Sequence, residues 1–426
     1  MIRSLVSVGL VASLLFLPAA LSAARKASLN EWPQWRGPNR DGISPETDLL
    51  DKWPEKGPPL VWKATGLGGG FSSVAVDAGK IYTLGSRDRK EHLSAIDGGD
   101  GKILWSTPVG GGDHSNGTPT VDGDRVYAIG LQGDLVCAKI ADGQILWKKN
   151  FGSDFGGKMM SGWGFSESPL IDGDRLICTP GGNDAMIVAL DKMTGDTIWK
   201  AAMPSDVGPR GKDGAGYSSI VVSHGAGVKQ YVQLIGRGVI GVRAENGEML
   251  WGYNRIANDT ANIPTPIVSD DYVFCSSGYG TGAALLKLVK QKNGVKAMEK
   301  YFLNANVMQN HHGGMVLVGK HVYCGNGHNQ GFPLCVDLLT GKVAWHPGRG
   351  PGQESAAIAY ADGNLYFRYQ NGVMALIEAT PKKYNLKSTF ELPGTGQPSW
   401  PHPAIAEGRL YLRDQDLLFA YDIQKK

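Results

Sequence analysis

One short phrase recurs along this chain and constrains its fold more than any other feature. Asp100–Trp105 reads DGKILW and Asp142–Trp147 reads DGQILW. Asp191–Trp199 (DKMTGDTIW), Asn246–Trp251 (NGEMLW) and Thr340–Trp345 (TGKVAW) vary the same theme. A second phrase runs upstream: VDGDRVYAIG from Val121, IDGDRLICTP from Ile171, VGKHVYCGNG from Val318 and ADGNLYFRYQ from Ala361. Asp-Gly and Asn-Gly pairs supply the positive φ that tight hairpin turns require. Alternating apolar residues in VYAIG and LYFRY fit half-buried strands, and no long helical period appears after the N-terminus. Each unit is therefore strand, turn, strand, loop, strand, turn, and a strand ending in Trp. Four antiparallel strands in about 40–50 residues make a propeller blade.

First strands starting near Phe71, Asn116, Phe165, Gly216, Asn262, His311, Gln353 and Trp400 give eight blades. The last unit has no fourth strand of its own, whereas LVWKA, Leu60–Ala64, carries a Trp before any first strand. The expected fold is all-β: an eight-bladed β-propeller of four-stranded antiparallel blades, closed by the N-terminal strand pairing with the C-terminal blade. Such closure leaves no open seam at which sheets of different chains pair. The 60 glycines and 23 prolines are spread along the chain, as many turns require. Trp62, Trp105, Trp147, Trp199, Trp251 and Trp345 are expected to dock blade against blade. A small residue stands the same distance before most of them (Ala95, Cys137, Ala189, Gly241, Cys335), so indole and small residue should pack together between neighbouring blades. In blades five and seven Tyr301 and Phe390 replace the Trp, and the turns are rewritten.

Arg3 followed by an apolar run to Ala20 and the small residues Ser22-Ala23-Ala24 reads as a secretory signal peptide over 1–24, with an uncleaved membrane anchor as the competing reading because the run is long. No cysteine precedes Cys137, so a lipoprotein is not expected, and neither is a stable membrane span in the mature chain. Residues 25–57, with Trp32, Trp35 and Trp53, read as an extended strap on the propeller surface; residues 58–426 form the propeller. An exported protein, periplasmic or extracellular, with five cysteines has an odd thiol count. Cys178, Cys275 and Cys324 end similar strand phrases, which points to buried free thiols; a Cys324–Cys335 bridge across a hairpin is the alternative. Net charge is +3 without any long basic run, so nucleic acid is not an expected partner.

The phrase A-x-D-x-x-T-G-x-x-x-W, complete at Ala189–Trp199 and nearly so at Ala95–Trp105 and Cys335–Trp345, resembles the PQQ-like propeller repeat. The resemblance covers Leu60 to Lys426. It implies the propeller fold, but the repeat serves quinoprotein alcohol dehydrogenases and the outer-membrane assembly factor BamB alike. In the dehydrogenases, pyrroloquinoline quinone lies near the axis against two adjacent cysteines, with calcium held by carboxylates and amides and an Asp as base. This chain has no adjacent Cys pair, is shorter than those enzymes, and offers no matching catalytic Asp.

Residues leading into first strands ring the channel mouth of a propeller. Here they include Asn116, Glu167, Tyr217, Asn262, His312, Glu354 and His402, a set suited to a cation or small polar ligand. His311 and His312, adjacent on an extended chain, are expected to point apart, and His321 and His328 to lie in turns and loops. The glycine-rich loop with Arg210, Lys212 and Asp213 matches no phosphate-binding pattern, and no G-x-S-x-G elbow occurs. The sequence therefore favours a non-catalytic exported binding or scaffold module without a cofactor, whose partner is an envelope protein or polysaccharide. A dehydrogenase using pyrroloquinoline quinone and calcium is the second reading, and a small-ligand or metal sensor at the channel mouth is the third.

Overall fold

The computed structural model describes residues 31–292, 294–394 and 396–426; the expected signal peptide lies outside them. Eight four-stranded antiparallel sheets follow one another around a ring. Seven are built from consecutive strands, over 75–111, 120–150, 170–201, 221–253, 267–304, 315–345 and 356–391. In the eighth, strands Ala404–Ala406, Arg409–Asp414 and Leu417–Asp422 are completed by Leu60–Ala64. Leu60 faces Tyr421, Trp62 faces Ala420 and Ala64 faces Leu418, so the chain's two ends close the ring. First strands begin three to five residues later than the sequence phrases suggest, at Ala75, Thr120, Leu170, Val221, Ile267, Met315, Ala356 and Ala404. The residues skipped are extended lead-ins that converge on the hub.

The blade-ending aromatics show how one sheet meets the next. Ala95, Cys137, Ala189, Gly241 and Cys335 are each the direct cross-strand partner of the Trp in their own blade. The small residue thus lies beneath the indole within one blade, not across a seam. The seam contact is made by the turn glycine of the following blade. A Cβ added at Gly101 would sit 2.7 Å from Trp62, at Gly143 2.5 Å from Trp105, at Gly195 2.9 Å from Trp147 and at Gly247 2.5 Å from Trp199. These glycines have φ of 74–78°, a left-handed conformation that also disfavours side chains. The indole N–H of Trp62, Trp105 and Trp147 then donates to Gly98, Ile140 and Lys192 carbonyls at 2.8–3.1 Å. Each buried indole removes roughly 200 Å² from water, worth at most ~5 kcal/mol gross.

Departures from the repeat follow the same geometry. Tyr301 lies on Gly341 and its hydroxyl donates to Leu338 O at 2.6 Å, the role of an indole N–H. In blade five the corresponding hairpin runs on to Gln291 and Gly294 and puts no glycine against Trp251, which instead donates to Gln230 Oε1 of its own blade. Phe390 meets Gly57, φ +86°, in the turn just before Leu60. Gly57 thus stands in for the turn glycine of blade eight, where the chain is interrupted.

Near the axis, each of several seams carries a buried polar clamp. Glu167 accepts from Thr179 N, Thr179 Oγ1 and Gln233 Nε2, joining blades three and four. Asn262 Nδ2 donates to Ile235 O and Gly236 O, joining four and five. Arg368 donates to Ser399 and Pro401, and Arg413 to Thr83, Leu84 and Gly68, joining seven to eight and eight to one. Such groups tolerate burial because each finds partners.

Residues 31–57, expected on the surface, cross the hub at the end where first strands finish. Trp32 exchanges backbone bonds with Val76, Pro33 O accepts from Val121 N, Gly42 O accepts from Tyr360 N, and Leu50 N reaches Ile423 O. Arg40 donates to Ser168 O and Pro169 O, while Arg36 donates to Asp41 O and Met315 O. Burial lowers both guanidinium groups to about 10, which leaves them cationic at neutral pH. Trp53 packs on Tyr366 and Phe390. All five cysteines are buried and free. Cys324 pairs with Leu334 and Cys335 with Tyr323, so the two side chains point to opposite faces of their sheet. The hairpin bridge weighed from sequence is therefore ruled out by register.

Three outcomes follow. Trp62→Ala should lower stability by ~3–5 kcal/mol, as loss of a large buried aromatic does, read as a fall in Tm. Unreduced protein, once denatured, should react with five equivalents of a thiol reagent. Glu167 sets a pH dependence: burial pushes its carboxyl up to about 8, against Thr179 and Arg40, which pull it down. The folded state then holds a proton that the unfolded chain releases, so its contribution is fully present below the ordinary value of 4.5 and is lost as pH rises through about 8. Glu167→Gln, neutral throughout, should flatten the Tm-versus-pH curve over that window; an unchanged slope would assign the effect elsewhere.

Candidate functional site

Seven of the lead-ins, with Gln370 from blade seven, surround an axial cavity of about 450 Å³. Phe71, Asn116, Ser166, Tyr217, Ala261, His311, His312, Trp400 and His402 reach it from the first-strand side, and Trp35 and Arg36 of the leader form its floor. Of the residues expected at the channel mouth, Asn116, Tyr217, His312 and His402 line this cavity. Glu167 and Asn262 are buried beneath it as the seam clamps described above. Glu354 is exposed and apart from the lining, in a left-handed turn with φ +63°. The ring expected from sequence thus separates into four lining residues, two structural clamps and one surface residue.

The cavity wall is an arc of aromatic rings. Phe71 stacks on Trp400 at 4.1 Å, Trp400 neighbours His312 at 4.5 Å, and His312 lies 3.5 Å from His311. His328 follows at 4.3 Å from His311, then Tyr279 at 4.4 Å from His328. His311 and His312 therefore sit side by side rather than pointing apart, and His328 belongs to the wall rather than to a remote loop. His311 is oriented by Ser355 Oγ on Nδ1 (2.8 Å) and the Tyr279 hydroxyl on Nε2 (3.1 Å). At the floor, His402 lies 4.4 Å from Trp35, and its Nε2 meets His312 O.

Charge is nearly absent from this wall. Burial lowers His311 to about 3, helped by His328. Burial and Arg36 lower His402 to about 3, and burial with the neighbouring imidazoles drives His312 well below its ordinary value. All three are neutral at physiological pH. Among the described residues no Asp or Glu lines the cavity, Arg36 is its one Arg or Lys, and the lining His114 meets Asp113 at 2.6 Å.

Two rim residues hold a loop in place. Asn116 Nδ2 donates to Trp163 O at 3.0 Å, and Trp163 N donates to the Tyr217 hydroxyl, which also meets Ser161 Oγ at 2.7 Å. The indole of Trp163 is 55% exposed at the cavity rim. Sequence reasoning missed Trp163, Tyr279 and His328 as lining residues because they lie in loops outside the repeat phrase, and Gln370 because it stands at the very end of its phrase, beyond the strand. Trp400, expected at the start of blade eight's first strand, does reach the hub, whereas Trp35 was expected on the propeller surface.

The quinone and calcium that the repeat implies find few suitable donors among these residues. The lining offers no carboxylate to calcium, the nearby Glu167 is engaged by Thr179 and Gln233, and no group of three or more His, Cys, Asp or Glu that suits a metal occurs among the described residues. The five thiols are separate and buried, with none paired beneath the cavity. This donor set does not fit a calcium-bridged quinone.

The profile of the family described as outer membrane protein assembly factor BamB matches residues 55–130 and 89–347, well over half of the chain. BamB of Kangiella koreensis is 27% identical over 222 residues, 49% of this chain and 49% of that protein. BamB of Alteromonas naphthalenivorans is 29% identical over 116 residues, 25% of this chain and 28% of that protein. The chain thus spans about half or less of the curated relatives it matches. Among solved structures, BamB from Moraxella catarrhalis superposes with a TM-score of 0.59 at 16% identity, covering 83% of this chain and 94% of that one. The quinohemoprotein alcohol dehydrogenase of Comamonas testosteroni gives 0.65 at 14% identity, covering 93% and 81%. At such identities the structural likeness speaks for the fold alone. The profile match, carried by the same repeat that builds the eight blades, decides the family: the chain belongs to the PQQ-repeat family of the outer membrane protein assembly factor BamB.

Proposed function

We propose that this chain is an exported, non-catalytic binding module that holds an envelope protein on the face where the hub cavity opens. The observation that carries the reading is the exposed Trp163 indole, fixed through its backbone by Asn116 and Tyr217. A large rigid aromatic presented on a prepared loop is the kind of residue that anchors protein interfaces. The leader supports the same orientation, because it occupies the opposite end of the hub and leaves this face open. Relatives named as outer membrane protein assembly factors support a partner in outer-membrane protein assembly. An exported, periplasmic or extracellular location rests on the N-terminal sequence; no helix among the described residues is long and apolar enough to cross a membrane.

Cross-linking in cells followed by purification should capture one envelope protein with the native chain. Trp163→Ala should weaken that capture by at least ~2 kcal/mol, about 30-fold, as anchor residues do, while leaving Tm unchanged. Equal capture by the variant would remove Trp163 as anchor. Dye reduction by the purified protein supplied with pyrroloquinoline quinone, calcium and an alcohol would overturn the non-catalytic reading.

A further inference from the structure

The hub cavity lies behind Trp163 and has a chemistry of its own. Three amides on its wall are each fixed at one end and free at the other. Gln370 Oε1 accepts from the Trp400 indole at 2.6 Å, leaving its NH₂ directed elsewhere. Asn329 Oδ1 accepts from Ser355 Oγ at 3.1 Å, leaving its NH₂ without a protein partner. Asn116 spends its NH₂ on Trp163 O, leaving its Oδ1. The wall therefore presents two oriented donors and one oriented acceptor between flat ring surfaces.

The same cavity contains unusual backbone. Arg36 (φ +58°), Tyr279 (φ +55°) and Asn329 (φ +52°) are all lining residues in left-handed conformation. For bulky side chains that conformation is strained, and strain held in place by surrounding structure concentrates at binding sites.

Ligand classes separate by charge. A cation meets no carboxylate here and faces Arg36. An anion meets a single guanidinium whose Nη2 is already shared by the Asp41 and Met315 carbonyls, beside imidazoles that are neutral. A purely apolar ligand leaves the free amide groups desolvated and unpaired, at a cost. A neutral sugar ring satisfies all of these conditions. Its C–H face packs on aromatic rings, and its hydroxyls both donate and accept, matching amides of both polarities. About 450 Å³ has room for one or two such rings.

We infer that the axial cavity binds a neutral sugar ring, held by the free amide ends of Gln370, Asn329 and Asn116 against the aromatic wall. The docking face serves the envelope protein; the cavity behind it takes the sugar, either free or as the end of a glycan.

The test is calorimetry and tryptophan fluorescence of the full mature chain with glucose, galactose, N-acetylglucosamine, maltose and chitobiose. Saturable binding of at least one is expected. A preference for the disaccharides assigns a glycan end, and equal binding of monosaccharides assigns a free sugar. Gln370→Glu keeps the acceptor for Trp400 and removes both donors; Asn329→Asp does the same toward Ser355. Each should weaken sugar binding roughly tenfold or more, as loss of an oriented donor to a buried hydroxyl does, with Tm unchanged. Absence of binding by every sugar, or binding unaffected by both variants, overturns the inference. So does saturable binding of benzoate or the quinone in the cavity when no sugar binds. If sugars fail while the envelope protein is still captured through Trp163, the scaffold reading stands without this one.

Discussion

The fold depends on one contact repeated around most of a circle: an aromatic ring at the end of one blade lying on the left-handed turn glycine of the next. The contact works because both sides are specialised. The glycine has no Cβ, so the ring approaches to van der Waals distance of its backbone. At Trp62, Trp105 and Trp147 the indole N–H is then satisfied by a carbonyl of the same turn, so a large apolar surface is buried without an orphaned donor; Trp199 makes the same ring contact with its N–H unpaired. Small cross-strand partners such as Ala95 and Ala189 let the ring lie flat against its own sheet. Where the glycine turn is lost, the ring finds another acceptor, as Trp251 does in Gln230 and Trp345 in Thr380.

Closing the ring imposes a second constraint on the interrupted blade. Blade eight has no continuous outer turn, because its outer strand is Leu60–Ala64 while its other three lie within residues 404–422. Gly57 and Phe390 rebuild the dock from residues more than three hundred positions apart in sequence. With the ring closed, eight lead-ins converge on an axis, and the polar backbone they bring must be satisfied. The seam clamps of Glu167, Asn262, Arg368 and Arg413 do this from the blades, and Arg36 and Arg40 do it from the leader. The leader is thereby part of the hub rather than a surface addition, and it makes the two ends of the axis chemically different. One is closed by backbone bonds and guanidinium groups; the other is an aromatic, nearly uncharged cavity with an exposed indole at its rim.

The channel-mouth residues show the limit of reading position without environment. Lead-in position alone placed Asn116, Glu167, Tyr217, Asn262, His312, Glu354 and His402 on one ring. Where a lead-in is extended, successive residues alternate in direction and a shift of one residue separates a lining side chain from a seam clamp; at His312 the chain bends, and both His311 and His312 face the cavity. Glu167 lies one residue beyond Ser166, which lines the cavity, and faces Thr179 and Gln233. Tyr279 and His328 gave no signal in the repeat because they come from loops between inner strands, where the repeat imposes no pattern.

What the sequence determined by itself was the architecture: blade number, strand order, closure by Leu60–Ala64, and which aromatic ends each blade. These follow from local turn chemistry and strand alternation, both written in contiguous residues. Only the tertiary structure decided the opposite facing of Cys324 and Cys335, the passage of the leader through the hub and the composition of the cavity. Each of these depends on side chains from distant blades meeting at an axis, and on a register of one residue that decides which side each faces. Neither the convergence nor the facing is encoded in any single stretch of the chain.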